Sequence, residues 1–164
     1  MKRKQTLLLL GIVAVVAFIA RSLLSFNALD FPERFCRPDT MTYLGPAQAL
    51  LEGKFFGTGR APGYIVFAAF FKWISVEYHL FLLALAGAFL GTFTIFPIFA
   101  AAKELAGRNC ALTAAALWGL NLTALANASM ILSDTLFAFF AACQFAFFIR
   151  YFRRKKSGDG RAHV

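Results

Sequence analysis

The most constraining feature of the chain is the stretch 110–149, 40 residues carrying a single formal charge, Asp134. A helix rises 1.5 Å per residue, so about 20 residues cross a hydrocarbon core roughly 30 Å thick. Forty such residues make two spans. The polar cluster Asn121, Thr123, Asn127, Ser129, Ser133 and Asp134 lies near the middle and sets the turn between them at about 127–134. A second run, 80–102, has 23 residues and no charge. Composition agrees: 60% of the residues are hydrophobic, 15% are charged, and Phe occurs 21 times. Soluble chains average about 45–50% apolar and 25% charged residues. A soluble globular domain and a disordered chain are both excluded.

The first apolar run covers 7–20 and reaches Leu24 if Arg21 snorkels to the interface. Basic residues precede it, as in a signal peptide, but cleavage after Ala20 or Ala28 would put Phe18 or Phe26 where a small residue is needed. It reads as an uncleaved first span. Residues 25–79 then form a long polar loop with two amphipathic pieces. One runs from Thr40 to Glu52 with Gly53 as its stop, and Pro46 either kinks it or marks a later start. The other runs from Pro62 to Ser75 and is too short to span. Gly87 and Gly91 form a GxxxG pair suited to close helix packing.

The expectation is an all-α integral membrane protein. It has about four transmembrane helices (5–24, 80–102, 110–127 and 134–151), with the long outer loop 25–79 carrying two juxtamembrane amphipathic helices. Residues 1–152 make the membrane domain, and 153–164 form a basic, disordered cytoplasmic tail. Nine of the 17 Lys and Arg lie at the two chain ends. With four spans, 11 basic residues fall on the inside and six on the outside, whereas a crossing by 62–75 would leave three inside. The positive-inside rule therefore places both termini in the cytoplasm. No motif or aromatic-interleaved basic stripe points to nucleic acid. Cys36, Cys110 and Cys143 are far apart, and His79 and His163 are isolated, so neither a disulfide framework nor a zinc pattern exists.

This topology gathers six of the eight carboxylates on the outer side: Asp30, Glu33, Asp39, Glu52, Glu77 and Asp134. Asp134 is costly inside an apolar run unless it faces a polar cavity or a partner, and it can also serve as a turn residue or as N-cap of the last helix. Asp39 can likewise cap the helix that follows it.

The runs Arg37-Pro38-Asp39-Thr40-Met41-Thr42-Tyr43, Ala47-Gln48-Ala49-Leu50-Leu51-Glu52-Gly53 and Arg60-Ala61-Pro62-Gly63-Tyr64, followed later by Ser133-Asp134-Thr135-Leu136-Phe137, resemble the start of the GT-C glycosyltransferases. The similarity is to the protein mannosyltransferase and aminoarabinose transferase group. The resemblance implies transfer of a sugar from a polyprenyl-phosphate carrier to an acceptor on the outer side of a bacterial inner membrane. Asp39 would be the catalytic carboxylate. Arg37 and Arg60 would face the lipid phosphate, Tyr43 and Tyr64 the sugar, and Asp134 the acceptor or a cation in the same pocket. The family often has a second acid where Thr40 stands, and its absence here weakens a metal or paired-carboxylate site, which leaves a divalent cation as an open cofactor and no other implied. Family members carry about a dozen spans, and this sequence matches the first four. A fragment, a truncated remnant or a split form completed by a partner membrane subunit is expected. The alternative is a non-catalytic four-helix membrane scaffold for a lipid-linked sugar enzyme. A small transporter would need an internal repeat or a helix broken at mid-membrane, and the sequence shows no convincing repeat.

Overall fold

A computed structural model describes residues 3–54 and 59–159, with side chains up to 155. Positions 1–2, 55–58 and 160–164, including Lys2, Arg161 and the end of the expected tail, lie outside the described residues. All regular structure among the described residues is helical. The helices are α1 (Arg3–Asp30), α2 (Met41–Leu51), α3 (Pro62–Ile74), α4 (His79–Phe93), α5 (Ile95–Leu120), α6 (Leu122–Ser129) and α7 (Asp134–Asp159), with a 3-10 turn at Pro32–Phe35 between α1 and α2.

Three helical stretches are long and apolar enough to cross a membrane: Arg3–Asp30, His79–Leu120 and Asp134–Lys155. The middle one has 42 residues and is not straight. Thr94 separates α4 from α5, and Pro97 explains the irregularity because it has no N–H to offer the Phe93 carbonyl. The larger break is Gly107, at φ 84° and ψ −178°, a conformation that side-chain-bearing residues rarely adopt. There the chain reverses. The Trp118 indole N–H donates to the Gly91 carbonyl at 2.9 Å, although a straight helix would hold residues 27 apart about 40 Å from each other. A Cβ placed on Gly119 would lie 3.3 Å from Ile95 Cδ1. Residues 79–106 and 108–120 are thus the two arms of a helical hairpin. α1 packs against both arms through Leu10, Ala14, Ala17, Ile95 and Ala115. α7 lies along the first arm, with Ala146 and Ile149 against Ala101.

Arg21 does not snorkel. It is completely buried and donates through Nη1 to the carbonyls of Ala17 (3.2 Å) and Gly119 (3.0 Å), and through Nη2 to that of Trp118 (3.4 Å). The return arm stops at Asn121, which leaves its last carbonyls without helical partners, and a cation at that end suits both the orphan acceptors and the helix dipole.

α1 also runs six residues past the expected span end. Ser25 and Asn27 look like loop residues, but Ser25 Oγ donates to the Arg21 and Ala84 carbonyls and Asn27 Nδ2 to the Leu23 carbonyl. Their polar groups are satisfied without breaking the helix. Pro46 sits inside α2 rather than starting a new helix. At the other end of the chain, α7 continues to Asp159, so 153–159 are helical rather than disordered. Arg153, Arg154 and Lys155 are good helix formers, and their charge suits the C-terminal half of the helix dipole.

Gly87 and Gly91 mark a close approach, as their spacing suggested. A Cβ on Gly87 would fall 2.1 Å from the Ala128 carbonyl oxygen, and one on Gly91 3.0 Å from Arg21 Nε. Gly11 has nothing within 4 Å of its Cβ position. Gly87→Ala should therefore destabilise the fold by about 1–3 kcal/mol or more, because backbone must move. Gly11→Ala should be neutral or stabilising by up to about 1 kcal/mol. Thermal unfolding in detergent checks the pair, and equal melting curves would contradict the packing.

Candidate functional site

The segment between α1 and α2 is held by one short backbone stretch from the far end of the sequence. Ile131 donates its N–H to the Phe35 carbonyl at 3.0 Å, and its own carbonyl accepts from the Thr40 hydroxyl, also at 3.0 Å. The same hydroxyl accepts the Arg37 N–H at 2.7 Å. Thr40 is fully buried, so each of these polar groups depends on the others for its partner. α2 packs on α3, and α3 on α4, in a cluster that holds Tyr43, Ala47, Tyr64, Ile65, Ala68 and Leu83. The Tyr43 and Tyr64 rings meet edge to face with centroids 5.0 Å apart, and the Tyr43 hydroxyl lies 3.0 Å from the Ser133 hydroxyl.

On this platform Asp39 and Arg60 form an ion pair, Oδ1 to Nη2 at 2.5 Å. The Arg60 guanidinium also stands 5.7 Å from the centre of the Tyr43 ring. The two side chains are 54% and 39% exposed, so solvent screens the pair and it contributes at most about 1 kcal/mol to stability. Thr40 and Ile131 fix the loop, and the ion pair sits on it as an accessible feature. Asp39 does not use its carboxylate as a helix cap. Thr40 occupies the cap position with no side-chain capping bond, and Thr42 bonds only the Asp39 carbonyl.

The structure therefore brings together Asp39, Tyr43, Arg60 and Tyr64. Arg37 is exposed, and its described bond is made by its backbone. Asp134 opens α7, where a carboxylate suits the helix N-terminus. It lines a different space from the one expected: a cavity of about 300 Å³ bounded by Gly91, Trp118, Asn121, Asn127 and Thr135, with neither Asp39 nor Arg60 on its wall. The link between the two places is one residue long, since Ser133 beside Asp134 contacts Tyr43. Burial, and then the neighbouring Tyr43, Cys36 and Asp134, push the Tyr64 phenol well above the ordinary tyrosine range near 10. Tyr64 stays a neutral hydrogen-bond donor at any working pH. Among the described residues no three His, Cys, Asp or Glu side chains gather to hold a metal ion, which leaves a divalent cation without a ready cage.

Sequence reasoning missed Thr40 and Ser133 as positioning residues. Thr40 stood out only as a departure from an acidic pattern, and a hydroxyl has no sequence signal that separates a buried clamp from an exposed surface group. Compared with known protein families, with curated proteins and with solved structures, the chain finds no match in any of the three.

Thr40→Val keeps the volume but removes the hydroxyl and leaves the Arg37 N–H and the Ile131 carbonyl unpaired. A cost of about 1–3 kcal/mol is expected, confined to the docked loop. Hydrogen exchange at 35–43 and 130–133 should accelerate while the α1–α5 core stays protected. Unchanged exchange in the loop would remove Thr40 from this role.

Proposed function

We propose that the chain is a membrane glycosyltransferase module of GT-C type, which moves a sugar from a polyprenyl-phosphate carrier to an acceptor hydroxyl on the outer side of a bacterial inner membrane. Four spans are proposed: α1, the two arms of the hairpin (the second extended by α6), and α7. Both termini lie in the cytoplasm. Two geometric facts support this topology. Arg3, Lys103 and Arg108 line one cavity, and Arg153 donates to the Leu105 carbonyl at 3.5 Å, so the chain start, the Gly107 turn and the end of α7 share one basic end. Asp39, Arg60 and Asp134 belong to the other end, reached by α1 after 28 helical residues, about 42 Å.

The observation that carries the reading is the accessible Asp39–Arg60 pair over a platform of two tyrosines, held by a docked loop. In this reading Asp39 takes the proton of the acceptor hydroxyl as its oxygen bonds to the anomeric carbon, while the bond from that carbon to the carrier phosphate breaks and the phosphate keeps the electron pair. Arg60 faces the leaving phosphate. A donor phosphate arriving there competes with Asp39 for the guanidinium and so releases the carboxylate when the donor is bound. Tyr43 and Tyr64 are buried and support the pair from beneath rather than facing the sugar, Arg37 adds charge at the rim, and Asp134 lines the neighbouring cavity. A partner membrane subunit supplies the remaining carrier groove, against faces such as the exposed Phe137, Phe140, Phe147 and Phe148 of α7.

One observation favours the second reading, a non-catalytic scaffold: Asp39 and Arg60 already satisfy each other, and the cavity beside Asp134 excludes both. Asp39→Asn separates the two. Membranes containing the chain and labelled polyprenyl-phosphate sugars should lose transfer by at least about 100-fold in the variant, with insertion unchanged. Equal transfer by both proteins, or none from a folded and inserted wild type together with its partner, rejects the catalytic reading.

A further inference from the structure

The basic end of the bundle is more than a diffuse charge. Between the first hairpin arm and α7 runs a groove of about 320 Å³ walled by Phe96, Pro97, Ala100, Cys143 and Phe147, and it ends at Arg150. Small side chains at Ala100 and Ala146 leave this space open where the two helices pass. Arg150 is shared with two further hollows. One of about 490 Å³ is walled by Tyr151, Arg154 and Lys155, and one of about 430 Å³ by Glu104, Arg153 and Arg154. Glu104 is the single carboxylate on these walls, and neither Arg150 nor Arg154 forms an ion pair among the described residues. An apolar slot thus opens into a mouth with an excess of guanidinium groups and a tyrosine at its rim.

We propose that this groove binds one anionic phospholipid of the inner leaflet, its acyl chain in the α5–α7 slot and its phosphate between Arg150 and Arg154. Charge complementarity selects an anion, and guanidinium forks match phosphate oxygens. The slot selects a lipid over a soluble anion, because a free phosphate leaves the apolar wall unfilled. Basic pockets between spans on the cytoplasmic side are suited to anionic headgroups. The proposal rests on the topology proposed above, with α5 and α7 crossing the membrane and their basic end in the cytoplasm, and does not depend on the glycosyltransferase reading.

The test uses the purified full chain in a zwitterionic detergent, with phosphatidylglycerol or phosphatidylcholine added and retained lipid counted by native mass spectrometry. One phosphatidylglycerol should be kept in preference to phosphatidylcholine. Each arginine near an anionic headgroup contributes on the order of five-fold in affinity, so Arg150→Gln with Arg154→Gln should weaken retention about 25-fold. Cys143→Phe narrows the slot without changing charge and should also weaken retention, by roughly ten-fold. Ala100→Leu narrows it from the α5 side and serves if that variant fails to insert. Lys4→Gln, at the same end but outside the groove, should change retention less than about two-fold. An equal loss in Lys4→Gln, no loss in either slot-narrowing variant, or displacement of the lipid by millimolar inorganic phosphate would each overturn the proposal.

Discussion

The fold depends on one buried cation. Arg21 lies inside the bundle with no carboxylate bonded to it, held by the carbonyls of Ala17, Trp118 and Gly119. A charge in that position is tolerated only where acceptors are fixed around it. Three helices supply the surroundings. α1 carries the arginine, the return arm of the hairpin ends against it, and α4 comes close enough only because position 91 has no side chain. The Gly91 carbonyl in turn accepts the Trp118 indole N–H. Filling position 91 or removing the guanidinium disturbs the same contact from two sides.

The rest of the structure follows from where that contact sets the end of the return arm. Asn121 adopts an extended backbone there and caps α6 by accepting the Ala124 N–H at 2.8 Å. α6 then lies against Gly87 and delivers residues 130–133 to one end of the bundle. Those four residues anchor the loop between α1 and α2 through Ile131 and Ser133, and the Asp39–Arg60 pair rides on the loop they anchor. The route from a buried arginine to an exposed carboxylate is therefore a chain of buried polar side chains bonded mostly to backbone, and the exposed pair contributes little to it.

How much of this could be read from the residues follows the same physics. Long uncharged runs announce the helices, and the turn near 127–134 was legible because polar residues cluster where backbone must leave a helix. α2 and α3 appear close to their expected limits because Gly53 and Pro62 punctuate them. The interior use of Arg21 was not legible: an arginine near a span end satisfies hydropathy equally well by snorkelling, and only the distant Gly119 decides otherwise. The end of α1 was hidden by Ser25 and Asn27, whose bonds to preceding carbonyls make them helical. At the candidate site, only the resemblance groups Asp39, Tyr43, Arg60 and Tyr64, and it is the packing of α2 on α3 that makes them meet, while the separate cavity at Asp134 arises from α6, which periodicity alone merges with its neighbour.

The chain reverses at Gly107, which puts its basic segments at one end of the bundle and the Asp39 loop at the other. Single cysteines at positions 33, 105 and 153, in a background with the native cysteines replaced, can be labelled with a membrane-impermeant maleimide in oriented vesicles. With the proposed four spans, 105 and 153 react from one side and 33 only from the opposite side. Reaction of 33 and 105 from the same side would contradict that topology.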